Sequence, residues 1–243
     1  MGTHRLYLPE RIVAGTDVAL DAERSHYVAR VLRARPGSAL VVFDGHGGEY
    51  DATVRAVSKH AVTLAVGSWR PDERESPLEV RLLQGVSRGE RMDWVVQKAT
   101  ELGVARIMPV ITEFSVVRLE PERAGRRLAH WRKIAQGACE QCGRNRVPAI
   151  EPPASFAALV GEASDATRIL LEPGAPHTLA AIERGPVELL IGPEGGLSAG
   201  EREQALAAGF RPCSLGPRVL RTETAAVAAL AVLQARLGDL AGG

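Results

Sequence analysis

Three short loops carry the residue types best suited to gripping a small molecule. Glu172–Pro173–Gly174–Ala175, Gly192–Pro193–Glu194–Gly195–Gly196 and Gly216–Pro217–Arg218–Val219–Leu220–Arg221 each follow an apolar run. In open α/β sheets, ligands sit beyond the carboxyl ends of strands, where loop backbone is exposed and held in place. Glycine lets the chain approach a ligand closely, and proline stiffens that approach. Together the three loops could enclose a flat ring and an amino acid group; taken singly, each could be no more than a tight turn. The chain has neither GxxxxGK[ST] nor GxGxxG, and Glu194 at the centre of GPEGG would repel phosphate. The pattern therefore points to a ligand without phosphates and away from a nicotinamide oxidoreductase.

Two further clusters could do chemistry. Cys139 and Cys142 form CEQC, which has redox or zinc half-site spacing. It lies near the end of a helical stretch rather than at a strand-to-helix turn. With no second Cys-x-x-Cys or close histidine cluster, buried structural cysteines are the expectation and no metal is implied. The second cluster is basic: Arg123, Arg126, Arg127, Arg132 and Lys133 recur along one segment, with Arg144, Asn145 and Arg146 just beyond. Residues 85–148 hold twelve basic and seven acidic side chains, a net of +5, whereas residues 149–243 hold seven and eleven, a net of −4. A local basic face suited to a phosphate backbone is one reading; a solvated helix surface is the other.

The elements that must position these residues fall into two styles. Before residue 69, short partly alternating runs predict strands at 4–8, 38–43, 49–57 and 60–67, with turns at GHGG 45–48 and at Ser58–Lys59, and a helix over 21–33. WRPDERESP at 69–77 is polar and bracketed by prolines, so it predicts a boundary between domains of residues 1–72 and 73–243. Beyond it the spacing predicts strands at 78–85, 105–111, 167–172, 186–192 and 211–216. Helices are predicted at 90–103, from Pro121 to about Cys142, from Ser198, and over TETAAVAALAVLQARLG. Ser198 and Glu201 have capping-box spacing, while Gly103 and Gly209 suit helix C-termini. Strands alternating with helices predict an α/β layer with a mostly parallel sheet.

The 243 residues are 45% hydrophobic but only 4% aromatic, so aliphatic side chains must build the core. No run approaches the roughly 20 apolar residues that cross a bilayer, and MGTHRLYLPER has no signal-peptide pattern, so a cytoplasmic protein is expected.

Six stretches carry a specific resemblance: VLR at 31–33, QKATELGVARIMPV at 97–110, WRKIAQGACEQCGRNRVP at 131–148, LLIGPEGGLS at 189–198, LGPRVLRTETA at 215–225 and LQARLGD at 233–239. In order and content the chain resembles the bacterial RsmE family, the 16S rRNA uridine-N3 methyltransferases of the SPOUT superfamily. The resemblance implies a PUA-like RNA-binding β-barrel followed by a SPOUT methyltransferase domain with a C-terminal trefoil knot. Patterning alone gives a doubly wound sheet, and general chain rules disfavour knots.

The resemblance further implies S-adenosylmethionine as cofactor, held bent by the loops Leu171–Gly174, Ile191–Gly196 and Leu215–Leu220. Backbone groups would read adenine, with Leu215 and Leu220 in apolar contact. Glu194 would bond ribose, orient an arginine or cap the following turn. Arg221 would stabilise negative charge on a uracil oxygen, and Glu223 would accept a proton or else bond Thr222 or pair with Arg221. Arg144 is the third candidate for the active centre. The implied partners are 16S rRNA within the 30S subunit and a second copy of the chain; the final helix, with Ala225, Ala226, Ala228 and Ala229, resembles the family's dimer-forming surface, an internal core contact being its other reading. A SPOUT enzyme acting on another RNA position, and a non-catalytic ribosome-assembly factor, are the alternatives.

Overall fold

The structure is a computed structural model that describes residues 4–58, 61–115, 121–179 and 182–240. Lys59 and His60, in the expected turn and strand start, lie outside the described residues. The chain forms two compact units. The first comprises Met1–Glu75 and also Cys139–Val147, a segment that a contiguous division at 72/73 does not contain; the second comprises Ser76–Ala138 and Pro148–Gly243.

In the first unit, β1 (His4–Tyr7), β2 (Asp17–Ala19), β3 (Ala39–Phe43), β4 (Glu49–Val57) and β5 (Val62–Arg70) form a sheet in the order β1-β3-β4-β5-β2. Only β1 and β3 pair in parallel. Helix α1 (Ala22–His26) is capped by the Asp21 carboxylate accepting from the Arg24 amide at 2.7 Å, and it passes into a π-helical turn over Tyr27–Val31. Leu6, Leu40, Val42, Val54, Leu64 and Val28 close the core beneath. Strand β2 is absent from the sequence reading because three residues, Asp17–Ala19, show no alternation to detect.

In the second unit the strands are β6 (Val80–Gly85), β7 (Arg106–Ile111), β8 (Ala149–Ile150), β9 (Ala154–Ser155), β10 (Thr167–Leu171), β11 (His177–Thr178), β12 (Val187–Ile191) and β13 (Arg211–Ser214). They lie in the order β11-β13-β10-β12-β6-β7-β8, with β9 also on β7, and every pairing is parallel. Strand β12 is buried at all five positions, as expected for a parallel strand covered on both faces.

The helices are α2 (Glu90–Glu101), α3 (Pro121–Cys142), α4 (Phe156–Val160), α5 (Ala199–Ala207) and α6 (Thr222–Leu237). The Ser198–Glu201 capping box forms at α5, and Gly103 and Gly209 take positive φ just beyond α2 and α5. In α6, Ala225, Ala226, Ala229, Leu230 and Leu233 are buried and the helix packs on α2. Three of the four alanines expected at a dimer surface are thus internal packing. Among the described residues no helix is long and apolar enough to cross a membrane.

Candidate active site

The ends of β10, β12 and β13 release three loops at neighbouring positions of one sheet, because β10 pairs with both of the others. Their meeting leaves a cavity of about 490 Å³, within the size range of small-ligand sites. Leu171, Glu172 and Pro173 line one part, Ile191, Gly192, Pro193, Glu194 and Gly196 a second, and Leu215, Val219 and Leu220 a third. Gly174, Gly195 and Gly216 do not line it. Gly174 and Gly216 instead supply left-handed turns with φ of 76° and 85°. At Gly195 a Cβ would fall 2.8 Å from the Cβ of Phe114, so its missing side chain makes room for that neighbour rather than for a ligand.

Close backbone approach fixes the central loop. A Cβ on Gly85, at the end of β6, would lie 2.3 Å from the Pro193 nitrogen, so only glycine lets these chains touch. The Thr222 hydroxyl, at the start of α6, donates to the Gly192 carbonyl at 2.7 Å and accepts from buried Gln84 Nε2 at 2.9 Å. The third loop is different. Among the described residues, no hydrogen bond engages a backbone group of Gly216–Leu220. Apolar walls beside free backbone donors and acceptors suit an adenine ring, whose edges read such groups.

The charged groups fall into a definite pattern. Arg91, on α2, donates to Glu194 at 2.7 Å and its Nε lies 3.9 Å from Glu223. Glu194 also accepts from the amide of Arg88, two residues before α2, at 3.2 Å. Burial alone would raise the Glu194 carboxyl, but hydrogen bonds from its own amide, Arg91 and the Arg88 amide outweigh it, and its pKa lies below the ordinary carboxylate value. The arginine that Glu194 meets comes from a helix, not from a loop. Glu223 pairs with Arg91, not with Arg221, and its Oε2 is buried without a hydrogen-bond partner. Arg221 caps the backbone of α6, lines the cavity and is exposed; no ion pair holds it among the described residues. Glu172 is engaged by Arg202 in a two-toothed pair at 2.6 and 3.0 Å.

Arg144 and Asn145 belong elsewhere. Both are buried in the first unit, where Arg144 donates twice to Glu75 Oε2, at 3.0 and 2.6 Å. Asn145 accepts from Arg5 at 2.6 Å and donates to the Asp72 carbonyl at 2.5 Å. The Tyr7 amide donates to Glu140 at 2.9 Å, completing the attachment of this segment to β1. These contacts engage both side chains within the first unit, and neither residue lines the cavity. Arg146 is exposed, with its guanidinium 3.7 Å from Glu73. On α3, Arg123, Arg126, Arg132 and Lys133 are exposed and Arg127 half-buried; Arg126 meets Glu122, and Arg132 also donates to the Ile150 carbonyl at 3.0 Å.

Cys139 is not an activated thiol. Burial pushes the Cys139 thiol up to about 12, so it stays protonated at neutral pH, and its Sγ lies 3.6 Å from the Arg146 carbonyl. Sequence reasoning missed Arg91 and Gln84 as parts of the site, and named Thr222 only as a partner for Glu223. Arg91 falls among ordinary charged residues of an amphipathic helix, so no local signal marks it.

Two family models match this chain. One, an RNA methyltransferase domain, covers residues 74–234, and the other, an RNA methyltransferase PUA domain, covers residues 20–66. The ribosomal RNA small subunit methyltransferase E of Buchnera aphidicola is 32% identical over 239 residues, 97% of each chain. Its namesake in Bacillus subtilis is 32% identical over 92% of each. Among solved structures, a putative methyltransferase of Legionella pneumophila in complex with bound SAM is 42% identical with a TM-score of 0.96, over 99% of this chain and 100% of that one. A ribosomal RNA small subunit methyltransferase E of Neisseria gonorrhoeae bound to S-adenosyl methionine is 37% identical with a TM-score of 0.92, over 98% and 100%.

Proposed function

Because this chain belongs to the ribosomal RNA small subunit methyltransferase E family, we propose that it methylates N3 of a uridine in 16S rRNA, using S-adenosylmethionine. The fold is a PUA-like domain followed by an α/β SPOUT-type methyltransferase domain. The observation that carries the reading is the cavity itself: three strand-end loops, one with its backbone uncommitted, around apolar walls with Arg221 and Glu223 in the lining. The trefoil knot implied by the sequence resemblance is part of this reading.

When bound, S-adenosylmethionine supplies a methyl group activated by a sulfonium cation. This chain must place and deprotonate the acceptor. Uracil N3 carries a proton at neutral pH, so transfer exchanges an N3–H bond for an N3–methyl bond and the proton must leave. Glu223, which lines the cavity with its Oε1 3.9 Å from Arg91 Nε, is the carboxylate positioned to take that proton. Arg221 has the reach and freedom to stabilise negative charge growing on a uracil carbonyl. Leu171, Ile191, Leu215 and Leu220 exclude water from the reacting atoms.

The exposed arginines of α3 supply sequence-independent attraction to the RNA backbone. The assembled 30S subunit as substrate, cytoplasmic action, a homodimer and a metal-free reaction belong to the same reading. Half-buried Val227, Ala228, Ala231 and Val232 on α6 support the dimer by leaving an apolar row beside the packed face. The deciding experiment incubates purified protein with labelled methyl donor and 30S subunits lacking the modification, followed by nucleoside mapping. The expected product is 3-methyluridine. Label in another nucleoside would favour a SPOUT enzyme of different target, and no label would favour an assembly factor.

A further inference from the structure

The first unit holds a second cleft, of about 280 Å³, lined by Arg11, Asp44, His46, Gly47, Tyr50 and Trp69. Trp69 stands opposite Tyr50 on the paired strands β5 and β4 and is 50% exposed, although tryptophan is usually well buried. The GHGG turn explains how the ring is held. Gly45, Gly47 and Gly48 have φ of 85°, 98° and 68°, and a Cβ on Gly48 would lie 2.4 Å from Trp69 Nε1. The loop backbone therefore runs directly against one edge of the indole, and only glycine permits that approach. On the loop's other side a Cβ at Gly47 would meet the Arg146 guanidinium at 2.6 Å and Glu73 at 2.5 Å. The Gly48 amide is tied to Glu73 at 2.7 Å, so the support beneath the ring is fixed.

The rim that solvent reaches carries a guanidinium and an imidazole. Arg11 and His46 have side chains 67% and 59% exposed, whereas that of Asp44 is only 2% exposed. Asp44 accepts from the Ile12 and His46 amides at 3.1 Å each, stands 3.3 Å from His46 Nδ1 and pairs loosely with Arg11 Nε at 4.0 Å, leaving the exposed Arg11 guanidinium facing outward. A flat, half-exposed aromatic beside an outward guanidinium and an imidazole donor matches an unpaired nucleobase with its phosphate. We propose that Trp69 is a stacking platform for a single unpaired base of the RNA substrate, with Arg11 and His46 contacting its phosphate. The inference rests on the RNA-methylating reading and gives the first unit a specific contact within it.

The test uses the full-length protein, a short fluorescein-labelled single-stranded RNA, and the same RNA with abasic nucleotides. Trp69→Ala should weaken binding of the base-bearing RNA by at least about fivefold, the lower end of base–aromatic stacking. Binding of the abasic RNA should not change, and Trp69→Phe should retain most of the affinity. If Trp69→Ala unfolds, Trp69→Phe and Trp69→Leu are compared in its place, with the aliphatic variant expected to bind more weakly. Equal binding by aromatic and non-aromatic variants, or an equal loss on the abasic RNA, would overturn the platform. So would a loss confined to 30S subunits with RNA binding intact, which would assign the cleft to a protein partner. Formation of 3-methyluridine by the unmodified protein is scored separately, so failure of the methylation reading is distinguishable from failure of the platform.

Discussion

Two arginines from equally distinctive motifs, Arg144 in EQCGRN and Arg221 in LGPRVLRTETA, have opposite surroundings. Arg144, its side chain 6% exposed, spends its guanidinium on Glu75 while its neighbour Asn145 bonds Arg5 and the Asp72 carbonyl. Arg221 is exposed at a cavity with no ion pair among the described residues, beside a glutamate whose Oε2 is also uncommitted. Burying a charge is tolerable only when its partners are all supplied, so the first arrangement is scaffold. Charges left unmatched beside a cavity are free to act on a ligand. Motif distinctiveness therefore does not separate chemistry from architecture, whereas the state of each group's partners does.

The largest effect that would break this contrast is on folding. Arg144→Ala should take both guanidinium donors from Glu75 Oε2, leaving only the Arg146 amide on its other oxygen, and cost up to about 3–5 kcal/mol of stability, the range for breaking a buried pair. Denaturant unfolding measures it, and calorimetry with S-adenosylhomocysteine should find ligand affinity in the surviving folded protein near normal. A fully stable variant that had lost only methyl transfer would return Arg144 to the active centre.

Arg221→Ala should do the reverse. The single-turnover methylation rate with saturating donor and 30S subunits should fall by about 10²–10³, comparable with removing one donor from a charge-stabilising site. Melting temperature should hold. Arg221→Lys keeps the charge but loses the planar fork, so its rate should lie between the two. A collapse of stability equal to that of Arg144→Ala would erase the distinction between the regions.

The smallest effect sharpens the comparison, because Arg91 is a partly exposed tether rather than a buried strut. Arg91→Gln should weaken donor binding by about two- to fivefold, in keeping with the modest worth of exposed ion pairs. It should also change the response to acid. The Glu194 carboxyl is held below its ordinary value in the folded protein, so its contribution is complete above the unfolded value of about 4.3 and is lost as pH falls through the lower folded value. Stability of the unmodified protein should therefore carry an acid limb from this group that Arg91→Gln diminishes. Superimposable stability–pH curves would show that Arg91 does not hold Glu194.

What the sequence determined was local. Alternation and apolar runs marked β4, β6, β10 and β12, Ser198 and Glu201 announced the start of α5, and Gly103 and Gly209 announced helix ends, because each signal acts within a few residues. The three loops were legible for the same reason: glycine and proline after an apolar run change the backbone wherever the chain goes next. Family resemblance then supplied a donor and an acceptor that no periodicity contains. Tertiary structure alone decided that β12 lies between β10 and β6, that Gly85 meets Pro193, and that Arg91 reaches Glu194 across 103 positions of sequence. It also returned Cys139–Val147 to the first unit, where Arg144 finds Glu75 at a separation of 69 residues. Such partnerships depend on the path of the whole chain. An arginine has the same local propensity whether its carboxylate lies one turn away or across the fold, so nothing short of the assembled sheet could tell the strut from the residue left free to act.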